Sequence, residues 1–155
     1  MSASPSDAAL FAELREIYAR VDAAYADWSC PGSTECCRFG LTGRQPYVTS
    51  IELAMIQHAL ARRGGPLAPR RRALPISADP ERERVCPLLD RSRRCSVYAD
   101  RPLGCRTFYC GRATRGAGPE RDDLRDEVRA VRELAERHRL GGELARPLTR
   151  ALEGG

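Results

Sequence analysis

The chain has 155 residues, a formal charge of +5, 30% charged but only 6% aromatic residues, and seven cysteines. That length fits one domain, and no run approaches the roughly 18 apolar residues of a membrane span. With 13 Gly, 11 Pro and so few aromatics, a large apolar core is not expected. A structural zinc site, worth about 10–16 kcal/mol, would weigh heavily against a net stability of about 5–15 kcal/mol.

The opening MSASPSDAALFAEL has neither a basic n-region nor a long apolar h-region, so no secretory signal is read and a reducing cytoplasm is the expected location. Structural disulfides are rare there, and an odd number of cysteines would leave one thiol over, so metal binding is favoured over a disulfide scaffold. Residues 6–28 form the first predicted helix. Leu10, Phe11, Leu14, Ile17, Tyr18, Val21, Ala24, Tyr25 and Trp28 recur at steps of three and four. Ser6 or Asp7 is placed to cap it, and its aromatic stripe reads as core.

Cys30-Pro-Gly-Ser-Thr-Glu-Cys36-Cys37 follows, where Pro31 and Gly32 break the helix and let a loop present sulfurs. A lone cysteine is usually a small buried hydrophobe; a C-x5-CC cluster in a Gly-Pro turn seldom is. On an extended backbone Cys36 and Cys37 would point in different directions, one ligating while the other is buried or serves a second site. Gly40, Gly43 and Pro46 suggest a loop over 38–48. A second helix is predicted over 49–63, opened by the capping box Thr49-Ser-Ile-Glu52 and closed at Gly64-Gly65. His58 has no Cys or His at ligand spacing on that helix and reads as structural. Residues 64–84 are a Pro/Arg-rich linker in which Arg70-Arg71-Arg72 is read as solvated.

The stretch from Cys86 to Cys110 holds four cysteines spaced C-x8-C-x9-C-x4-C. Two short apolar pieces flank the polar link Asp90–Arg94, which reads as a β-hairpin bringing Cys86 and Cys95 near each other. Soft thiolates converging from a hairpin and the turn after it suit zinc or an iron–sulfur cluster. Gly111–Gly118 is a basic loop. A third helix is expected over 120–140, with Leu124, Val128, Val131, Leu134 and Ala135 as its stripe. Its early acids Glu120, Asp122 and Asp123 and late Arg137, His138 and Arg139 complement the helix dipole, which explains His138 without ligation. A short helix after Pro147 ends the chain. The fold expected is therefore mainly α: one small domain of about three helices around an irregular cysteine-rich knot with one short β-hairpin.

These residues resemble the YkgJ-like cysteine-cluster family, a zinc- or iron-chelating domain. Its first signature, C-x2-C-x2-CC, is met by Cys30, Cys36 and Cys37, with Ser33 in the second place. Its later signature is met by Cys86-Pro87-Leu88-Leu89 and by Cys95-Ser-Val97-Tyr98-x-x-Arg101-Pro102-x-x-Cys105-Arg106-x-Phe108. The resemblance covers residues 30–110 and implies a bound metal or Fe–S centre. Serine oxygen is a poor substitute for thiolate at a soft metal. Cys37, Cys86, Cys95 and Cys105 are taken as the leading ligands, followed by Cys36, Cys30 and Cys110. Tyr98, Arg101 and Phe108 are expected to surround them, with Arg101 donating to sulfur or balancing its charge.

The reading that follows is a cytoplasmic metal-binding protein holding Zn²⁺ or a [4Fe–4S] cluster, in a structural role or exchanging electrons with a redox or protein partner. The wide, irregular spacing lacks two C-x2–4-C knuckles and leans towards Fe–S. Residues 70–115 carry 12 Arg against 5 acids, so an Arg-rich nucleic-acid-binding zinc module is the alternative. Compensation of thiolate charge is preferred, because no nucleic-acid motif accompanies the excess. The family domain also occurs in flagellin lysine N-methylases, which implies an accessory or catalytic role in protein lysine methylation as a further alternative. No glycine-rich nucleotide loop supports an independent enzyme.

Overall fold

The computed structural model of the chain describes residues 5–30, 32, 34–65, 84–108, 124–139 and 145–153. It is mostly helical. α1 (Pro5–Ala24) opens on proline, whose fixed φ and missing N–H suit a first helical turn. Asp7 thus lies inside that turn instead of capping it, and one of its oxygens stands 3.8 Å from His138 Nε2. Leu10, Phe11, Leu14, Ile17, Tyr18 and Val21 are buried as their spacing implies. The helix stops at Ala24, short of the predicted Trp28, because the Ala26 and Trp28 N–H groups turn back three residues, to Ala23 and Tyr25. Tyr25 still reaches the interior from that turn.

The segment expected as a loop over 38–48 instead contains α2 (Phe39–Thr42) and β1 (Tyr47–Val48). Both elements are too short to show a period. They form because Phe39 and Val48 are buried in the core and β1 finds a remote partner. That partner is β2 (Arg146–Pro147), antiparallel, with Tyr47 opposite Pro147 and Val48 opposite Arg146.

α3 (Ser50–Arg62) has the predicted capping box, Thr49 with Glu52. At its other end Gly65 N–H donates to Leu60 C=O and Gly64 N–H to Ala61 C=O. This is a Schellman pattern, and both glycines have positive φ, 103° and 111°. α4 (Leu103–Arg106) is a single turn, α5 (Arg125–His138) is the predicted third helix, and α6 (Leu148–Glu153) is the short tail helix. Of the α5 stripe, Val128 is 52% exposed while Leu124, Val131, Leu134 and Ala135 are buried. The linker over 66–83, the Gly111–Gly118 loop and the acids Glu120, Asp122 and Asp123 lie outside the described residues.

Two main cores meet on α3. Its Ile51 and Met55 join Leu10, Phe11, Leu14, Ile17 and Tyr18 of α1 and Val131, Leu134 and Ala135 of α5. Its Leu53, Ile56, Ala59 and Leu60 face a second core that contains Phe39, Val48, Cys86, Leu88, Leu89, Val97 and Leu148. A helix apolar on both sides is what a central buried element requires. His58 lies against the Phe11 ring, centroids 5.6 Å apart, and His138 Nδ1 is 3.0 Å from Ser50 Oγ. Both histidines therefore have local structural partners. No helix among the described residues is long and apolar enough to cross a membrane.

Candidate metal centre

The sulfur-bearing segments are laid side by side by backbone bonds. Cys86 N–H donates to Cys37 C=O at 2.7 Å, Gly40 N–H donates to Arg84 C=O at 3.1 Å, and Arg38 bridges Val85. The predicted hairpin is reduced to one antiparallel bridge, and it pairs Leu89, not Cys86, with Cys95. Its turn is closed by Asp90, whose Oδ1 accepts from the Ser92 N–H (2.8 Å), the Ser92 hydroxyl (2.6 Å) and the Arg94 N–H (3.0 Å). These bonds hold the Asp90 carboxyl below its ordinary range. Leu88, Leu89 and Val97 are buried and seat this turn on α3.

Cys36 and Cys37 do not lie on extended backbone. They occupy a 3₁₀ turn, Glu35–Cys37, and their Sγ atoms are 3.8 Å apart. The tight turn overrides the alternation expected of a strand and puts both sulfurs on one side. Cys86 is buried, and Cys37 and Cys95 pack against the same core. Cys105 arrives from the other direction on α4. Gly104 allows that approach, since a Cβ there would come within 2.9 Å of the Pro46 Cβ.

The five thiols sense one another. The hydrogen bond with Cys36 pushes the Cys37 thiol up, followed by burial and then by the charges of Cys36, Cys86 and Cys95. Burial, then the charges of Cys86, Cys95 and Cys36, pushes Cys105 up. Burial also raises Cys95. Cys36 accepts the hydrogen bond from Cys37 and is lowered to about 7, helped by backbone N–H groups and by the charge of Arg101. Arg101 acts in the same sense on Cys95 and Cys105. Its guanidinium lies over the Tyr98 ring at 4.1 Å and donates to Tyr98 C=O at 3.3 Å. The charge of Arg101 thus bears on three of the thiols, and Tyr98 is its platform. The Arg44 guanidinium carbon lies 5.8 Å from the centroid of the Phe108 ring. Cys36, Cys105 and Phe108 all line a cleft of about 1070 Å³.

Cys30 is exposed, its sulfur accepting the Gly32 N–H at 3.4 Å. Cys110 and Ser33 lie outside the described residues. Among the described residues, no three cysteine, histidine or acidic side chains already stand at the separation a bound ion requires. Closure on a metal would therefore require the thiols to move together. The donor set fits: soft sulfur ligands with an adjacent cation suit zinc or iron.

Sequence reasoning missed the groups that hold α4. Arg106 is 4% exposed. Its guanidinium donates to Arg101 C=O (2.9 Å), to Ala99 C=O and to Asp22 Oδ2 (2.6 Å), and it lies 4.0 Å over the Tyr18 ring. The signal was an arginine immediately following a candidate ligand within a motif. Asp100 is buried and paired with Arg62 at 2.9 Å.

A family model described as "Putative zinc- or iron-chelating domain" and designated CxxCxxCC matches residues 29–124. The chain belongs to the CxxCxxCC family. No curated protein and no solved structure matches it. The family's name spells four cysteines, of which this member keeps Cys30, Cys36 and Cys37. In its fold the CC pair joins the later cysteines, whereas Cys30 faces solvent.

Proposed function

We propose that this is a metal-binding protein whose centre is built by Cys37, Cys86, Cys95 and Cys105 together with Cys36. The observation that carries the reading is the backbone pairing that lays the Cys37 and Cys86 segments side by side, so that the charges of Cys36, Cys86, Cys95 and Arg101 bear on the Cys105 thiol. Several thiolates on one divalent ion leave net negative charge, and a neighbouring guanidinium offsets it. The family's zinc- or iron-chelating description supports metal binding in general. Bound metal would tie the Cys86–Arg106 stretch to the CC turn and so serve a structural role.

A single zinc ion held by four of these five thiols is the first reading, and one sulfur–sulfur distance supports it. At a Zn–S length of about 2.3 Å, two thiolates on a tetrahedral ion stand about 3.8 Å apart, and the Cys36 and Cys37 sulfurs are 3.8 Å apart. A [4Fe–4S] cluster with an electron-transfer role is the second reading. It is favoured by the all-thiolate donor set and by the cleft on which Cys36 and Cys105 open, a route for a redox partner.

Purification without oxygen, a visible spectrum and assays of iron, sulfide and zinc test both. A colourless protein with one zinc per chain supports the structural reading. A brown protein containing iron and sulfide supports the cluster. Neither metal in the protein as purified or after reconstitution would sink both.

A further inference from the structure

The one-turn helix that carries Cys105 is clamped by buried polar groups from α1 and α3. Glu52 is 2% exposed, yet four donors reach its carboxyl group. Oε2 accepts from the Thr49 N–H and hydroxyl, both at 2.9 Å. Oε1 accepts from the Tyr18 hydroxyl at 3.2 Å and from the Leu103 N–H at 2.8 Å. Leu103 is the first residue of α4, so this carboxyl satisfies an N–H that the helix itself leaves without a partner. A capping box needs only the Thr49 contacts. The reach to Leu103, 51 residues on, serves something else.

The other end of α4 is held by Arg106, and Tyr18 joins the two ends. Its hydroxyl donates to Glu52 while its ring face meets the Arg106 guanidinium. Tyr25 adds a bond from its hydroxyl to Thr107 C=O at 3.3 Å. Cys105 lies between these anchors, on a helix too short to hold its own geometry.

We infer that Glu52, acting with Tyr18, is a positioning residue that fixes Cys105 for metal binding. The inference rests on Cys105 being a ligand, as in the reading above. Glu52→Gln keeps the shape of the side chain but turns one acceptor oxygen into a donor. Tyr18→Phe removes a single donor.

The test uses the full chain and zinc alone as the probe. Affinity is measured by competition with a chromophoric chelator, and Cys105 alkylation in the metal-free protein is followed by mass spectrometry. For Glu52→Gln, zinc affinity should fall roughly tenfold, the lower end of what partners beyond the ligands cost. Cys105 should alkylate faster, while Cys30, exposed in both proteins, should not change. Tyr18→Phe should shift both quantities in the same direction by a smaller factor, and it carries the test if Glu52→Gln does not fold. A purely structural residue would lower the melting temperatures of metal-free and zinc-loaded protein equally and leave affinity unchanged. That result, with wild type binding zinc, overturns the inference alone. A wild type that binds no metal overturns the metal reading, and this inference with it.

Discussion

The two sides of α3 are held together by different means. On one side, α1 and α5 bury a continuous apolar stripe against Ile51 and Met55, and regular helices satisfy their own backbone. On the other side, the chain from Cys86 to Arg106 has one β-bridge, one 3₁₀ turn and one α-helical turn. Its order comes from Asp90 closing a turn, from Glu52 and Arg106 gripping α4, and from Leu88, Leu89 and Val97 packing into the core against α3. The first side resembles an ordinary domain core. The second buries Leu88, Leu89 and Val97 in an apolar cluster of its own and adds the sulfurs of Cys37, Cys86 and Cys95 to it.

That contrast predicts where metal removal acts. If the proposed centre is zinc, its contribution is on the order of 10 kcal/mol, and most of it should be felt beyond α3. Hydrogen exchange measured before and after chelation should show residues 86–106 losing protection, with α1, the α1-facing part of α3, and α5 retaining much of theirs. Uniform loss of protection over both sides would erase the distinction.

Within the cysteine side, single thiols should separate cleanly. Cys86→Ser and Cys105→Ser should each lower metal affinity by more than about 100-fold, beyond what outer partners cost, because serine oxygen is a poor ligand for a soft metal. Cys30→Ser should leave affinity and metal content unchanged. Metal content by elemental analysis, with affinity by chelator competition, checks both. Equal effects at Cys30 and Cys105 would show that the exposed cysteine belongs to the centre.

The apolar side should respond in the opposite manner. Leu14 is fully buried among α1, α3 and α5. Leu14→Ala should lower stability to denaturant by about 2–5 kcal/mol, the usual cost of lost transfer energy plus a cavity. Metal stoichiometry at native conditions should not change. A variant that folds but loses its metal would mean that the two cores are one cooperative unit.

The same division decides what could be read from the sequence. α1, α3 and α5 follow from apolar periodicity, and α3 from its capping box and paired glycines, because those signals are local. The elements around the thiols carry no period. α2 and α4 are single turns, and α4 is specified by Glu52 and Asp22, which lie far from it in sequence. The hairpin could be located but not its register, since one bridge leaves no alternation to count. Cys36 and Cys37 were expected to diverge because a dipeptide does not reveal whether its backbone is extended or 3₁₀. The later motif nonetheless pointed to Cys86, Cys95, Cys105 and Arg101; the charges of Cys86, Cys95 and Arg101 all bear on the Cys105 thiol.

Metal affinity should also depend on pH, and the sign follows from the thiols. Cys37, Cys95 and Cys105 are raised, so they keep their protons at neutral pH in the metal-free protein. A metal takes thiolates, so each such ligand releases one proton on binding. Affinity should therefore fall about tenfold per released proton for each unit of acidification, about 1.4 kcal/mol apiece. Cys36 is already largely ionised above its value of about 7. If it ligates, the slope should steepen by one proton as pH falls through that value, whereas if it is a bystander the slope should stay constant. Stability of the metal-free fold runs the other way for the raised thiols. Their contribution is present below the unfolded thiol value of about 8.5 and is lost as pH rises beyond it. Cys36 contributes above about 8.5 and loses that contribution as pH falls through about 7. Zinc affinity titrated from pH 8 to pH 6, with proton release measured by calorimetry in two buffers, would count the thiols directly.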